Sequence, residues 1–219
     1  MKNSLLAAVL AAAVSTTASA QVVVTPTNPQ GWNANSLLGS GTAAITNFNP
    51  RGAGTGSLEL NSSGGADRTR FSVGTLAQGG YGKLNELSTL SFDWFRAAGS
   101  TAASWHTPVF RLIVADPSAN IAYRELVWEY DYQFAGLKQN TNWGFSANAY
   151  VYGISIGTGS GWSGSFTGFA DDVRIGFGEG TVTVYDFETS AATVPEPASM
   201  ALMLTGLAGL VAARRRRQR

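Results

Sequence analysis

The chain has 219 residues, a formal charge of +1, no cysteine and a single histidine, His106. These counts exclude disulfide scaffolds, thiolate zinc sites, cysteine nucleophiles and any site that needs two histidines. Five arginines lie among the last six residues, whereas residues 21–193 hold nine basic and thirteen acidic groups. The central part is therefore mildly acidic. With 13% charged residues and 26 glycines, it argues against a nucleic-acid binder, a disordered polyampholyte and a long-helix protein.

Residues 1–20 begin with a positive charge at Lys2, continue through an apolar run over 5–14 and end on the small residues Ala18, Ser19 and Ala20. This is the layout of a secretory signal peptide, with Ala18 and Ala20 as the cleavage positions, and it implies passage through the Sec translocon. An apolar run of about ten residues is too short to cross a hydrocarbon core of roughly 30 Å.

Residues 21–190 are expected to form one exported domain, long enough to bury a core without disulfides. Its first part, 21–55, is rich in Asn, Gly, Pro, Ser and Thr and holds one strand candidate, 42–48. Beyond it, apolar residues alternate: Leu58 and Leu60; Phe71 and Val73; Leu90, Phe92 and Trp94; Phe110, Leu112 and Val114. The pattern continues with Leu126, Trp128 and Tyr130; Val173, Ile175 and Phe177; and Val182 and Val184, with Asp186 in the same phase. A period of two over short runs, separated by Gly-, Asn- and Ser-rich turns, predicts antiparallel strands. No helical stripe interrupts them, and 97–104 reads as a loop. The fold class is all-β, a two-layer antiparallel sandwich of about nine strands, with long irregular connections that favour a jelly roll.

Several stretches invite a chemical reading. Glu129, Asp131 and Gln133 share one face of a strand. Their spacing resembles that of β-sandwich hydrolases of the laminarinase type, which carry Glu-x-Asp-x-Glu or Glu-x-Asp-x-x-Glu. Here Gln133 and Phe134 stand where the acid/base would be, and neither delivers a proton. His106 has Ser104 nearby, but the 161–164 stretch lacks a nucleophile elbow, so a serine hydrolase is not expected. The chain is therefore read as non-enzymatic. Among the tryptophans, Trp143 and Trp162 lie in Gly-, Ser- and Asn-rich sequence and are expected to be exposed, where an indole face can stack on a sugar ring. Glu59 and Asp172 are calcium candidates if the first and last strands pair, the only cofactor this reading allows.

The C-terminal segment, 191–219, has three ordered parts: Pro195, Glu196 and Pro197; an apolar stretch over 198–213; and the basic tail 214–219. Sixteen residues at about 1.5 Å each reach roughly 24 Å, enough for a short transmembrane helix with snorkelling arginines. The arginines hold their end in the cytoplasm and leave 21–193 outside.

This tripartite tail resembles the PEP-CTERM sorting signal of Gram-negative bacteria. The resemblance implies an exosortase as partner, with Pro195, Glu196 and Pro197 as the recognised element, and a link to exopolysaccharide. The strands at 56–60, 171–177 and 185–188 also resemble β-sandwich domains of PEP-CTERM proteins and of carbohydrate-binding modules. The expected function is that of a non-enzymatic surface or matrix protein, held transiently in the inner membrane and then trimmed. The alternatives are a carbohydrate-binding jelly-roll module, with extracellular polysaccharide as partner, and a glycoside-hydrolase-like protein without a complete acid/base pair.

Overall fold

The computed structural model describes residues 19–48, 54–74, 80–128, 144–159 and 161–190. The predicted leader up to residue 18, the 129–134 acidic stretch, Trp143 and the tail from 191 onward lie outside the described residues. Twelve strands are described, where sequence alternation predicted about nine: β1 (Ser19–Val24), β2 (Asn33–Leu38), β3 (Thr42–Thr46), β4 (Ser57–Ser62), β5 (Arg68–Val73), β6 (Gly82–Lys83), β7 (Leu87–Arg96), β8 (Val109–Asp116), β9 (Ile121–Trp128), β10 (Tyr150–Gly157), β11 (Phe166–Phe177) and β12 (Val182–Phe187). Short 3-10 turns stand at Leu84–Glu86 and Pro117–Ala119. The chain is all-β over the described residues.

The strands form two six-stranded sheets. The first runs β1-β12-β11-β4-β3, with β7 also on β11; the second runs β2-β5-β10-β8-β9, with β6 on β10. One apolar cluster draws on both, joining Leu58, Leu60, Val173, Ile175, Tyr185 and Phe187 of the first to Phe71, Leu112, Ile154 and Ile156 of the second. Every pair is antiparallel except β1 with β12, which is parallel. That pair corrects the expectation of a purely antiparallel sandwich. β1 enters beside β12 from a connection at the far end of the chain, so no hairpin dictates its direction.

Two strands depart from the sequence pattern for identifiable reasons. In β12 the predicted phase, Val182, Val184 and Asp186, is shifted by one, because Tyr185 and Phe187 occupy the shared core. Two aromatic rings bury more apolar area than two valines, so they set the face. In β10, Gly153, Ser155 and Gly157 alternate with Ile154 and Ile156, which are fully buried. A β-carbon at Gly157 would fall 1.9 Å from the Thr69 carbonyl oxygen and one at Gly153 2.7 Å from that of Val73. These glycines let β5 close against β10.

β11 is the longest strand at 12 residues and changes partners along its length. Phe166–Ala170 pair with β4, whereas Val173–Ile175 pair with β12; β7 runs along the opposite edge of both halves. At the handover the register breaks between Asp171 and Arg174, and Asp172 takes φ +50. A bulge of this kind leaves ladder groups unpaired, and side chains fill the gap. Asp171 Oδ1 accepts from Phe187 N at 2.9 Å and Asp172 N at 2.8 Å. Glu188 accepts from the Thr55 backbone N–H and from Thr55 Oγ1 at 2.6 Å, tying the end of β12 to the approach to β4.

Candidate functional site

Three groups of side chains depart from ordinary sandwich filling. The first is the seam just described. Asp171, Asp186 and Glu188 are all buried, at 8%, 9% and 2% exposure. Burial pushes the Asp171 carboxyl up to about 7 against the two N–H groups it accepts, and the neighbouring Asp186 and Asp172 charges add to the rise. Asp186 is likewise raised, by burial first, with the Glu188 charge adding to it and the Gln21 amide opposing it. An acid whose folded value lies above its unfolded one contributes full stability below the unfolded value and loses it as pH rises toward the folded value. Asp171→Asn keeps the oxygen that accepts both N–H groups and cannot ionise. It is expected to leave stability at pH 3 unchanged and to raise it at pH 8 by about 1–3 kcal/mol, read from chemical denaturation at the two pH values.

The second group lies on the face of the second sheet away from the shared core. Arg70, 7% exposed, reaches Glu125 with two hydrogen bonds of 2.6 and 2.7 Å, and Tyr123 donates its hydroxyl to the same carboxylate. Arg111, 2% exposed, donates to the Thr158 carbonyl at 2.8 Å. Burial works against the Glu125 charge, but the Arg70 and Tyr123 hydrogen bonds prevail and hold its pKa below the ordinary value. Ser155 sits in this face as the centre of a Gly-x-Ser-x-Gly sequence, 153–157. It is fully buried in the middle of β10 rather than raised on a strand-to-helix elbow, so the motif carries no nucleophile.

The third is a cavity of about 280 Å³ between the sheets, lined by Tyr81, Tyr152, Tyr185, Gln30, Val73 and the backbone of Gly74 and Gly80. The Tyr81 and Tyr185 hydroxyls are 3.1 Å apart. Burial raises both phenols above the ordinary range, so they are neutral. The cavity is polar and, over these lining residues, without charge.

The sequence-predicted residues fare unequally. Trp162, expected to be exposed, is 4% exposed: its ring stacks on His106 at 4.3 Å and meets Phe166 edge-on at 4.9 Å in a small cluster with Ala102 and Val109. The glycines around it shape a turn that folds the indole inward. Among the described aromatic residues the open faces are Trp105, 62% exposed, Tyr123, Phe48 and Tyr150. His106 is buried under Trp162. Glu59 stands opposite Phe169, three places from Asp172, and accepts from Asn61 at 2.8 Å, while Asp172 pairs with Arg174 at 3.1 Å. Among the described residues no three His, Cys, Asp or Glu side chains are grouped to hold a metal, and no helix is long and apolar enough to cross a membrane. The predicted anchor, 198–213, lies outside that set, as do Pro195, Glu196, Pro197 and Ala18. Ala20 is described, as the second residue of β1.

The described residues are all-β. Beyond them, the sequence matches the PEP-CTERM protein-sorting motif over residues 193–217. No curated protein and no solved structure matches the chain. The chain thus carries a PEP-CTERM protein-sorting motif, which supports export and targeting to an exosortase.

Proposed function

We propose that this is a non-enzymatic surface or matrix protein whose sandwich is the cargo and whose tail is the address. In this reading the leader is cleaved after Ala20, the 198–213 segment holds the chain in the inner membrane, and an exosortase removes the tail near Pro195-Glu196-Pro197. The exported domain then joins the exopolysaccharide matrix. The observation that carries the reading is the match of the sorting motif to 193–217. Its order, proline-flanked acid, short apolar stretch and arginine tail, suits a chain stopped part-way through a membrane with its basic end retained. Fractionation tests the proposal: the protein should reach the outer surface or medium in cells with an exosortase and accumulate in the inner membrane in cells without one. Equal release from both strains would reject it.

The tyrosine cavity favours a second reading, a jelly-roll carbohydrate-binding module. Neutral phenols offer ring faces for stacking and hydroxyls for hydrogen bonds, a combination that suits an uncharged polyhydroxyl ligand. In affinity electrophoresis against neutral polysaccharides, retardation of the mature protein should be lost in Tyr152→Ala. Absence of retardation by any matrix polysaccharide would count against this reading and leave the first intact.

A further inference from the structure

We propose that the tyrosine cavity takes one neutral sugar ring and reads two hydroxyls on neighbouring carbons of that ring through the Tyr81–Tyr185 hydroxyl pair. The inference rests on the carbohydrate-binding reading above and deepens it.

Three departures from regular backbone meet at the cavity wall. The register of β10 with β8 breaks between Val151 and Gly153, so Val151 and Ile154 both join the core and Tyr152 stands in the bulge between them. A bulge re-aims a side chain, and this one brings Tyr152 to the cavity. Gly74, at φ +89, follows β5; a β-carbon there would fall 2.3 Å from the Tyr152 carbonyl oxygen and 3.0 Å from the Tyr81 ring. Only glycine lets the chain pass that close in that conformation. Gln30, also on the wall, takes φ +50, a conformation uncommon for a residue with a side chain.

Tyr81 and Tyr185 reach each other from opposite sheets. The Tyr81 backbone N–H donates to the Val151 carbonyl at 2.7 Å just ahead of β6, and Tyr185 lies in β12 with Trp32 edge-on against it at 5.3 Å. Their hydroxyl oxygens are 3.1 Å apart. A phenol carries one O–H donor and acceptor lone pairs. Whichever hydroxyl donates to the other, the pair keeps one O–H to give and lone pairs with which to accept. Two gauche hydroxyls on neighbouring ring carbons match both this spacing and this mixed capacity, one accepting while the other donates. A carboxylate accepts only and an ammonium donates only, so each uses half of the pair and brings a charge that none of these lining residues offsets. The volume, about 280 Å³, lies just below the roughly 300–1,000 Å³ of pockets for drug-sized ligands, which suits a single ring. In a polysaccharide that ring is a terminal residue or a one-residue branch.

Calorimetric titration of the mature protein tests this, with the methyl pyranosides of glucose, galactose and mannose and then the 2-, 3-, 4- and 6-deoxy forms of the best binder. A loss of about tenfold or more is expected at two neighbouring positions, 2 and 3 or 3 and 4, with the other deoxy forms within about threefold of the parent. Tyr81→Phe and Tyr185→Phe keep both rings; each should weaken the parent sugar by about tenfold and leave the sensitive deoxy sugars unchanged. A six-unit oligosaccharide of the same sugar should bind within about threefold of the single ring. Sensitivity at one position or none, or Phe variants that bind like the unaltered protein, would overturn the hydroxyl pair; binding of oligosaccharides alone would overturn the single ring. Polysaccharide retardation that is lost in Tyr152→Ala, without binding of any of the three glycosides, rejects this inference and leaves the carbohydrate reading standing. If neither the glycosides nor any polysaccharide binds, both fall together.

Discussion

Glu196→Ala is expected to leave the arginine tail on the exported chain and to hold the protein in the inner membrane fraction. Proline fixes φ near −65° and has no N–H, and a residue before proline is pushed to extended backbone. Pro195 and Pro197 flank Glu196 ahead of the apolar stretch. A carboxylate in that setting is a ready recognition handle, whereas a plain membrane anchor has no use for it. The apolar stretch and the arginines are untouched by the substitution, so membrane insertion should persist while tail removal fails. Immunoblotting of membrane and released fractions reads the result: nearly all protein at precursor size in the membrane. Release at the wild-type level would show that the acid is not read.

Trp32→Ala is expected to cost about 3–5 kcal/mol, the range for removal of a buried large aromatic side chain. Trp32 is 1% exposed and sits where the sheets meet. It stacks on Phe71 of the second sheet at 5.4 Å and meets Tyr185 and Phe187 of the first edge-on at 5.3 and 5.1 Å. Its backbone N–H donates to the Pro29 carbonyl at 2.8 Å, which fixes the connection between β1 and β2. Truncation opens a cavity against three rings at once, and neighbours held in two different sheets collapse into it only in part. Urea denaturation measures the loss. A cost under about 1 kcal/mol would mean that the sheets are joined mainly elsewhere.

Much of this architecture is legible in residue order. The alternations at Leu58, Phe71, Leu90, Phe110 and Val173 each fall in a strand of the structure and place those residues in the shared core. Strand β10 gives no plain alternation signal, because glycine and serine stand at 153, 155 and 157; here they are the small residues that a close neighbouring strand requires. Strand β1 is hidden in the sequence because its first two residues fall in the predicted leader and its partner lies 163 positions away in the ladder. Trp162 shows the limit of local composition. Gly-, Ser- and Asn-rich sequence marks a turn, but whether the turn points its tryptophan outward depends on His106 and Phe166, which the sequence does not place beside it. The same holds for Asp171 and Glu188. Each looks like a solvated strand acid until β11 is seen to exchange β4 for β12 between them. The sorting motif needed no such folding, because its three parts are contiguous and in order.

The N-terminal strand of the exported domain is docked against β12, and the sorting motif follows at 193–217. The measurement that tests the account most directly is the intact mass of the protein released by wild-type cells. A chain that begins at Gln21 and lacks residues 214–219 is the predicted product; a released protein that still carries Arg214, Arg215, Arg216, Arg217 and Arg219 would contradict it.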